Sequence, residues 1–373
     1  MYYENRGEKR GRGLLVFLAM LVIIVLLVAL NLRLEGIQNS NEQNYSTEKL
    51  KNEVEEKQEP EEGKKDYAFI KEATKSIVGI SKMKQTGILS DDENGGIESG
   101  SGVIVTENGY ILTNHHVAGN KYSSCYVTLE SGKVYDGNVV WADKNIDLAI
   151  VKISIAKSDY MRLGDSDKID LGEDVYAIGN PIGFEFQRTV TKGIISGLNR
   201  TIKVQENDKS VYMEDLIQTD STINNGNSGG ALINLSGELL GINTIKITDA
   251  HGIGFAVPVN IVKPIIEKLS ETGKFDEPYL GIYGYDKEVI PYLNSSVDLE
   301  SGIYIDSIAL DGPVYNSGII VGDIITKIDN VEINKMSELK KYIYSKNPGD
   351  TVKLIVHRKF KDFEVDIKLN YNV

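Results

Sequence analysis

The sequence contains very few cysteine and histidine residues. It has a single cysteine, Cys125, which excludes an intrachain disulfide and argues against a zinc site built on cysteine. It has four histidines, His115, His116, His251 and His357, and none are spaced as paired metal ligands along a helix. We therefore expect no metal site, and only these four residues are candidates for an imidazole base.

Positive charge is also scarce relative to negative charge. The chain has 41 Lys and Arg residues against 54 Asp and Glu residues, which gives a formal net charge of -13. Because a surface of this sign repels phosphate backbones, we expect no nucleic-acid partner. The length of 373 residues is enough for two domains with appended segments, and a hydrophobic share of 41% is ordinary for globular protein.

The first 66 residues differ from the rest in composition. A basic segment, residues 1–13, precedes an uncharged apolar run, residues 14–32, that approaches the length needed to span a bilayer core. We predict an uncleaved transmembrane helix there. A cleavable signal peptide is the alternative, although the run exceeds a typical signal core and no small-x-small site follows it. The basic residues place the N-terminus in the cytoplasm and the later domains outside the cell membrane. Residues 33–66, charged and poor in large apolar side chains, are predicted to be a disordered linker.

The remainder of the chain divides into two folded units. Short β-rich runs separated by Gly, Asn and Asp over residues 67–273 indicate an all-β sandwich or barrel rather than alternating βαβ units. A helix is predicted at the end of this unit, with Asn260 as its N-cap and Gly273 at its end. Residues 277–373 form a smaller unit, in which strand-like runs surround a helix over about residues 337–345.

The strongest chemical signal lies in Thr-Asp-Ser-Thr-Ile-Asn-Asn-Gly-Asn-Ser-Gly-Gly-Ala, residues 219–231. Its second serine, Ser228, has a glycine two positions before it and two directly after it. A serine hydroxyl attacks only when a base removes its proton and donors hold the resulting oxyanion. The glycine-rich backbone allows the amides of Gly226 and Ser228 to point at one spot. Taken alone, the stretch is equally typical of a surface turn rich in Gly and Asn.

Two further segments contain the partners that such a serine needs. In Tyr-Ile-Leu-Thr-Asn-His-His-Val, residues 110–117, a predicted strand ends in polar residues, and only one of the adjacent histidines can face a cleft. Asp147 opens an apolar strand, where a partly buried carboxylate needs a partner. Each segment alone is also typical of a surface histidine or of an acid that caps a strand. The order His, Asp, Ser is that of the chymotrypsin-type proteases.

Seven motifs in this order resemble the HtrA (Deg) family of serine proteases, and the resemblance covers roughly residues 67–373. The motifs are Gly-Ser-Gly-Val-Ile-Val (100–105), Leu-Thr-Asn-His-His-Val (112–117), Asp-Leu-Ala-Ile-Val-Lys (147–152), Ile-Gly-Asn-Pro-Ile-Gly (178–183), Thr-Val-Thr-Lys-Gly-Ile-Ile-Ser (189–196), Thr-Asp-Ser-Thr-Ile-Asn-Asn-Gly-Asn-Ser-Gly-Gly-Ala-Leu (219–232) and Gly-Ile-Gly-Phe-Ala-Val-Pro (252–258). The resemblance implies a mainly β fold, in which a chymotrypsin-like double β-barrel is followed by a small α+β PDZ domain. It also implies homotrimers or larger assemblies of trimers.

The resemblance assigns roles to individual residues. His116 is the general base, and His115 occupies a position that is not catalytic in the family. Asp147 orients the base, and Ser228 attacks the carbonyl group of the substrate. His116 and Asp147 are expected from the first barrel, and Ser228 from the second. The oxyanion hole is expected at Gly226, Asn227 and Ser228.

The chymotrypsin arrangement places the walls of the substrate pocket just before the nucleophile. The residues there are Thr222, Ile223 and Asn224, and none carries a carboxylate that would pair with a basic side chain. We therefore expect cleavage after small or medium aliphatic residues, with Ile223 as part of the pocket wall.

The second unit resembles a PDZ domain. Residues Tyr279-Leu280-Gly281-Ile282 are similar to its carboxylate-binding loop, and residues 312–325 are similar to its internal signature. A glycine in that loop frees backbone amides for the terminal carboxylate of a peptide, while the peptide adds a strand beside the sheet. Without the surrounding motifs, the same four residues would indicate only the start of a strand after a linker.

The resemblance implies an ATP-independent serine endopeptidase, anchored in the membrane, that degrades misfolded or damaged exported proteins and needs no cofactor or metal. Its expected partners are unfolded protein or peptide substrates, and C-terminal peptides bound by the PDZ unit. Two alternatives stay open. One is a regulatory protease that cuts one dedicated substrate on a stress signal, and the other is a latent protease that acts mainly as a chaperone or scaffold.

Overall fold

Strands are the main regular secondary structure of the chain that the computed structural model describes, which comprises Met20 and residues 24–30, 32–33, 67–83, 97–180, 188–206, 209–224, 226–246, 252–293, 297 and 299–372. The predicted membrane span and linker lie mostly outside these residues. Met20 and residues 24–30 and 32–33 are helical. No helix formed by described residues is both long and apolar enough to cross a membrane. Contacts divide the chain into residues 1–66 and 67–373, and the second unit carries the fold described below.

Two closed antiparallel barrels form the first part of this unit. The strands of the first barrel are β1 (Ile77–Met83), β2 (Ile97–Ile104), β3 (Tyr110–Thr113), β4 (Ser124–Thr128), β5 (Val134–Asp143) and β6 (Leu148–Ile153). They pair in the order β1-β2-β3-β6-β5-β4. The strands of the second barrel are β7 (Asp174–Gly179), β8 (Thr189–Glu206), β9 (Lys209–Thr219), β10 (Ala231–Ile233), β11 (Leu239–Lys246) and β12 (Gly254–Pro258). They pair in the order β10-β11-β12-β9-β8-β7.

The strands near the contact between the barrels are buried on both faces. In β6, alternate residues enter different clusters: Leu148 and Ile150 join the cluster that spans both barrels, while Ala149 and Val151 fill the first barrel. Successive strand residues point to opposite faces, so burial of both faces requires a continuous apolar run instead of alternation. This explains the run that follows Asp147 in the sequence.

The second part of the unit is a small α+β domain. Its strands are β13 (Pro278–Tyr279), β14 (Ile282–Tyr285), β15 (Ile303–Ile308), β16 (Ile324–Ile328), β17 (Val331–Glu332), β18 (Thr351–Arg358), β19 (Lys361–Lys368) and β20 (Asn370–Tyr371). The main sheet has the order β14-β15-β16-β18-β19, with β17 paired to β16, and β13 pairs with β20. The expected mainly β fold, a chymotrypsin-like double barrel followed by a PDZ domain, is confirmed by this architecture.

The described helices outside the N-terminal segment are α1 (Ala68–Lys75), α2 (His115–Ala118), α3 (Lys263–Thr272), α4 (Ile290–Leu293) and α5 (Met336–Ser345). Helix α3 ends at Gly273, as predicted, in the left-handed conformation with φ of 72°. The predicted N-cap, Asn260, was wrong, because a 3₁₀ helix (Val259–Ile261) precedes α3 and Val262 is its N-cap. The Asn260 side chain instead donates from Nδ2 to Asp165 Oδ1 at 2.7 Å.

Helix α5 of the PDZ domain packs against the barrels through charged contacts. Three lysine amines pair with carboxylates of the barrel region. Lys335, directly before the helix, pairs with Asp215 at 2.9 Å, and within the helix Lys341 pairs with Asp167 at 2.6 Å and Lys340 with Asp143. The Tyr344 hydroxyl also donates to Asp143 Oδ2 at 3.0 Å. Burial alone would raise the pKa of Asp143, but Lys340, the Asn145 amide and Tyr344 together lower it. The helix therefore neutralises acidic groups that the barrels present.

Two further carboxyl groups at this interface have no such cation among the residues that the structure describes. Burial, and next the carboxylate of Asp286, raise the pKa of Glu214 on β9 to about 9. Burial, and next the charge of Glu288, raise the pKa of Asp286 in the PDZ domain. Asp215 and Glu288 add negative charge to both. Glu214 Oε1 is buried and has no hydrogen-bond partner among the described residues. The native state therefore favours protonated Glu214.

We predict that the protein loses stability as pH rises above the ordinary pKa of Glu214, 4.5, toward its native pKa of about 9. An acid with a native pKa of about 9 and an ordinary value of 4.5 holds a proton that the unfolded chain releases. The stability that this group contributes is complete at pH values below its pKa in the unfolded chain. That stability is lost as pH rises through its pKa in the native state. Urea unfolding of the full chain at pH 5, 7 and 9 measures the loss. The Glu214→Gln variant should lose less free energy of unfolding over this pH range than wild type, by on the order of 2 kcal/mol. One pKa unit corresponds to about 1.4 kcal/mol, and structural relaxation offsets part of the full effect.

The control for this prediction is Glu271→Gln, which changes an exposed glutamate on α3. This variant should follow the wild-type pH dependence. Equal slopes for wild type and the Glu214→Gln variant would contradict the prediction.

Candidate active site

Asp147 lies just before strand β6 and receives hydrogen bonds from both barrels. Its backbone has a φ of 52°, after the 3₁₀ helix Lys144–Ile146. From the first barrel, the His116 amide donates to Oδ1 at 3.0 Å, and His116 Nδ1 lies 2.8 Å from Oδ2. From the second barrel, Thr244 Oγ1 donates to Oδ2 at 2.7 Å. The Asp147 side chain is 13% exposed and that of His116 is 51% exposed, so the pair borders solvent on the histidine side.

The contact with Asp147 fixes which ring nitrogen of His116 carries the proton in the neutral ring. A carboxylate only accepts hydrogen bonds, so Nδ1 donates and Nε2 keeps its lone pair in the neutral ring. Within the described residues, Nε2 has no hydrogen-bond partner. The neighbouring His115 points elsewhere, and its Nε2 lies 2.7 Å from Asn120 Oδ1. Of the two histidine side chains, that of His116 contacts the Asp147 carboxylate, whereas the His115 amide donates to the Asp147 backbone carbonyl at 3.2 Å.

Ser228 lies on the second barrel, separated from β10 by Gly229 and Gly230. Its Oγ donates to the carbonyl oxygen of Thr244 at 2.9 Å, and no hydrogen bond joins it to His116 in the part of the chain that the structure describes. Thr244 therefore contacts two members of the group, Asp147 through its hydroxyl and Ser228 through its carbonyl. Thr244 was not predicted from the sequence, because a threonine inside a strand gives no sign of which distant carboxylate it meets.

The predicted oxyanion-hole residues form a tight turn. The Asn227 amide donates to the Asn224 carbonyl at 2.9 Å, so it is already engaged. The amides of Gly226 and Ser228 donate to no described residue. Gly226 has a φ of 99° and Gly229 one of 83°, in the left-handed region that glycine favours. Gly229 also permits a close approach, since a Cβ there would lie 2.0 Å from the Ser101 carbonyl oxygen.

The predicted pocket residues precede this turn. Ile223 is 3% exposed and belongs to the core of the second barrel, and a Cβ at Gly254 would lie 2.5 Å from its Cγ1. Thr222 and Asn224 are exposed. The Thr222 carbonyl accepts from Asn227 Nδ2 at 3.3 Å, so this segment is linked to the turn.

Comparisons with known proteins identify both parts of the unit. Residues 100–242 match the family described as "Trypsin-like peptidase domain", and residues 289–369 match the "PDZ domain". The serine protease Do-like HtrA of Lactobacillus helveticus is 34% identical over 338 residues, covering 82% of this chain and 81% of that protein. The protein of the same name from Bacillus subtilis (strain 168) is 37% identical over 335 residues, covering 83% and 74%. The chain belongs to the HtrA serine proteases.

A solved structure supports this assignment. The HtrA-type protease AlgW with tripeptide superposes with a TM-score of 0.58 at 32% identity, covering 82% of this chain and 96% of that one. The predicted HtrA family, the trypsin-like domain and the PDZ domain are thereby confirmed. This HtrA protein is a serine endopeptidase.

The predicted carboxylate-binding loop of the HtrA PDZ domain joins β13 to β14. Tyr279 pairs with Asn370, and Leu280 is 6% exposed. Gly281 has a φ of 79°, and a Cβ there would lie 2.5 Å from the Gly312 Cα. Its carbonyl accepts from the Ala309 amide at 2.9 Å. No loop hydrogen bond in the described chain uses the amides of Leu280 or Gly281.

The loop borders a cavity of about 340 Å³ between the PDZ domain and the barrels. Residues 279–285 and helix α5 line it on the PDZ side, and Tyr212 and Glu214 of β9 line it on the barrel side. The Tyr212 ring centroid lies 6.4 Å from that of Tyr285 and 6.0 Å from that of Tyr292. The groove beside β14 is therefore partly covered by the protease domain.

No cluster of His, Cys, Asp and Glu that would hold a metal occurs among the described residues of the HtrA chain. His357 Nδ1 lies 2.7 Å from Asp362 Oδ1 on the PDZ surface, and His251 lies outside the described residues. Cys125 is buried in the first barrel, which raises the pKa of its thiol to about 11.

Proposed function

We propose that this HtrA protease is an ATP-independent endopeptidase that degrades misfolded or damaged exported proteins, with Ser228 as nucleophile, His116 as general base and Asp147 as the group that orients the base. One observation carries this proposal. Groups from both barrels meet at Asp147, since His116 binds its carboxylate and Thr244 links the same carboxylate to Ser228.

The proposed reaction begins when the Ser228 hydroxyl leaves the Thr244 carbonyl and donates to His116 Nε2. As Oγ bonds to the carbonyl carbon of the substrate, its proton passes to Nε2, and Asp147 stabilises the resulting imidazolium. The amides of Gly226 and Ser228 hold the oxyanion, whereas the Asn227 amide is engaged in the turn. The imidazolium then protonates the leaving nitrogen, the C–N bond breaks, and a water molecule hydrolyses the acyl-enzyme by the same steps. This chemistry needs no cofactor or metal.

We predict that Ser228→Ala abolishes hydrolysis of an unfolded protein such as reduced casein, because no other group can form the acyl-enzyme. The rate should fall at least about 10⁴-fold. Digestion by purified full-length protein, followed on gels, measures this. The control is Ser236→Ala, which removes an exposed serine from the turn after β10 of the same barrel and should leave the rate unchanged. Hydrolysis retained by folded Ser228→Ala protein would refute the assignment.

The same digest tests the proposed pocket. Thr222, Ile223 and Asn224 offer no carboxylate, so cleavage should occur after small or medium aliphatic residues such as Val, Ala or Ile. Mass spectrometry of the fragments maps the cleavage sites. Dominant cleavage after Lys or Arg would contradict this substrate preference.

We also propose that the PDZ domain binds the C-termini of substrate or activating peptides at residues 279–282. The free amides of Leu280 and Gly281 are suitable donors for a terminal carboxylate, and β14 offers an edge for an added strand. The covering residues of β9 give a reason to expect regulation, because a peptide that enters this groove must displace them. A peptide changes activity only if it binds one arrangement of the domains better than the other.

A peptide ending in valine should bind the full-length Ser228→Ala protein with a micromolar Kd, on the order of −8 kcal/mol, as fluorescence anisotropy would show. Gly281→Ala should weaken binding more than about tenfold, since its Cβ meets Gly312. The matched control is Gly318→Ala, which changes a left-handed glycine with φ of 90° where an added Cβ would meet no atom within 4 Å. Equal binding of the same peptide with an amidated C-terminus would contradict carboxylate recognition.

A regulatory protease is the second candidate function, and two observations favour it. The Ser228 hydroxyl is bound to the Thr244 carbonyl instead of His116, and the protease domain partly covers the PDZ groove. If this candidate is correct, the valine-ending peptide raises the turnover of a short chromogenic substrate by wild-type protein. An unchanged rate despite demonstrated binding would leave the PDZ domain as a substrate tether.

We propose that the protein is a single-pass membrane protein with a cytoplasmic N-terminus and extracytoplasmic protease and PDZ domains. Support comes from the uncharged run of residues 14–32 and the basic segment before it. The full-length protein should stay with membranes after a carbonate wash. Release of all molecules, or a mature N-terminus at about residue 30–40, would favour the signal peptide. The homotrimer stays a prediction from the resemblance, which light scattering on the purified protein would test.

A further inference from the structure

Ser101 belongs to the first barrel but contacts the segment that carries Ser228 on the second. It lies on β2 and is fully buried. Its amide donates to the Ser228 carbonyl at 2.8 Å. Its own carbonyl accepts from Thr113 Oγ1 at 2.6 Å and lies against the Cα of Gly229. The backbone of β2 is thus the surface on which the nucleophile segment rests.

The Ser101 hydroxyl makes two hydrogen bonds whose direction is fixed. The Asn180 amide donates to Oγ at 2.6 Å, and Oγ donates to the Gly226 carbonyl oxygen. An amide nitrogen only donates and a carbonyl oxygen only accepts, so the single hydroxyl proton must point at Gly226. Asn180 directly follows strand β7 of the second barrel. The hydroxyl therefore joins the nucleophile turn to a neighbouring strand of the same barrel.

The peptide group between Gly226 and Asn227 is held by hydrogen bonds at both its carbonyl and its N–H. Its carbonyl is held by Ser101, and its N–H is held by the Asn224 carbonyl at 2.9 Å. The amides of Gly226 and Ser228, on either side of this peptide group, donate to no described residue. Gly226, with a φ of 99°, has a wide choice of conformations, so contacts must fix the turn.

We propose that Ser101 is a positioning residue for the oxyanion hole. Its hydroxyl orients the Gly226–Asn227 peptide so that the amides of Gly226 and Ser228 converge on the oxyanion of the tetrahedral intermediate. This inference rests on the proposed role of Ser228 as nucleophile. Ser101 itself touches no reacting atom.

Ser101→Ala isolates the hydroxyl, because the backbone bonds of residue 101 to Ser228 and Thr113 stay in place. With a short chromogenic peptide and the full-length protein, kcat should fall about 10- to 100-fold. This fall is smaller than, or similar to, the fall in kcat caused by removing an oxyanion-hole donor. KM should change less than about threefold, since substrate binding precedes oxyanion formation. A kcat equal to that of wild type in the folded variant would overturn the proposal. A change in KM of similar size with no change in kcat would also overturn it.

A peptide aldehyde provides a second readout that a purely structural role would not produce. Ser228 Oγ adds to the aldehyde carbon, the hydroxyl proton passes to His116, and the former carbonyl oxygen enters the oxyanion hole. The affinity of the aldehyde should fall in Ser101→Ala by the same factor as kcat/KM, while the corresponding peptide alcohol, which forms no adduct, should bind as to wild type. Unchanged aldehyde affinity would overturn the proposal.

The matched control is Thr106→Val. Thr106 is 5% exposed on the same barrel, and its Oγ1 accepts from the Tyr110 amide at 2.9 Å, so the change also removes a buried hydroxyl. Both variants should lower the Tm, and only Ser101→Ala should lower kcat.

If Ser101→Ala does not fold, Ser101→Cys replaces the hydroxyl by a weaker donor. A lowered kcat at unchanged KM supports the role, and a wild-type kcat overturns it.

The outcome for Ser228 separates the two proposals. If wild-type protein is no more active than Ser228→Ala, the proposed nucleophile is wrong and the role of Ser101 fails with it. If wild-type protein is active and Ser101→Ala matches it, only the role of Ser101 fails.

Discussion

The contact between the two barrels is held by hydrogen bonds that converge on a few buried groups, and the candidate active site depends on them. Asp147 accepts from His116 on one side and from Thr244 on the other. Ser101 binds the carbonyls of Gly226 and Ser228 from the first barrel. Because a buried polar group without a partner is costly, each of these bonds constrains both barrels. The site is thus part of what holds the barrels in register.

The same reasoning applies to the contact between the barrels and the PDZ domain. Lysines of the α5 region neutralise carboxylates of the barrels, and Lys340 and Tyr344 keep Asp143 charged although it is buried. Among the described residues, Glu214 and Asp286 have no cation within ion-pair distance, and burial raises the pKa of both. The interface combines favourable ion pairs with these two unfavourable carboxyl groups.

Much of the architecture was predictable from local pattern. The apolar run after Asp147, the short strands and Gly273 at the end of α3 follow from periodicity and glycine chemistry, which act between neighbours in sequence. The order of the seven motifs indicated the HtrA family, and the comparisons confirmed it. His116 and Asp147, which the sequence analysis paired, lie in contact in the folded chain.

What the sequence determined by itself was the kind of fold and the family, and it singled out candidate residues for the chemistry, because these depend on side-chain type and short-range spacing. Tertiary structure decided which groups meet. Thr244 and Ser101 carry no local sign of their partners, and Asn260 faces Asp165 instead of capping α3. The covering of the PDZ groove by β9 likewise depends on domain packing. Hydrogen bonds and burial between residues far apart in the chain appear only after both barrels have closed, so their geometry is a property of the folded state.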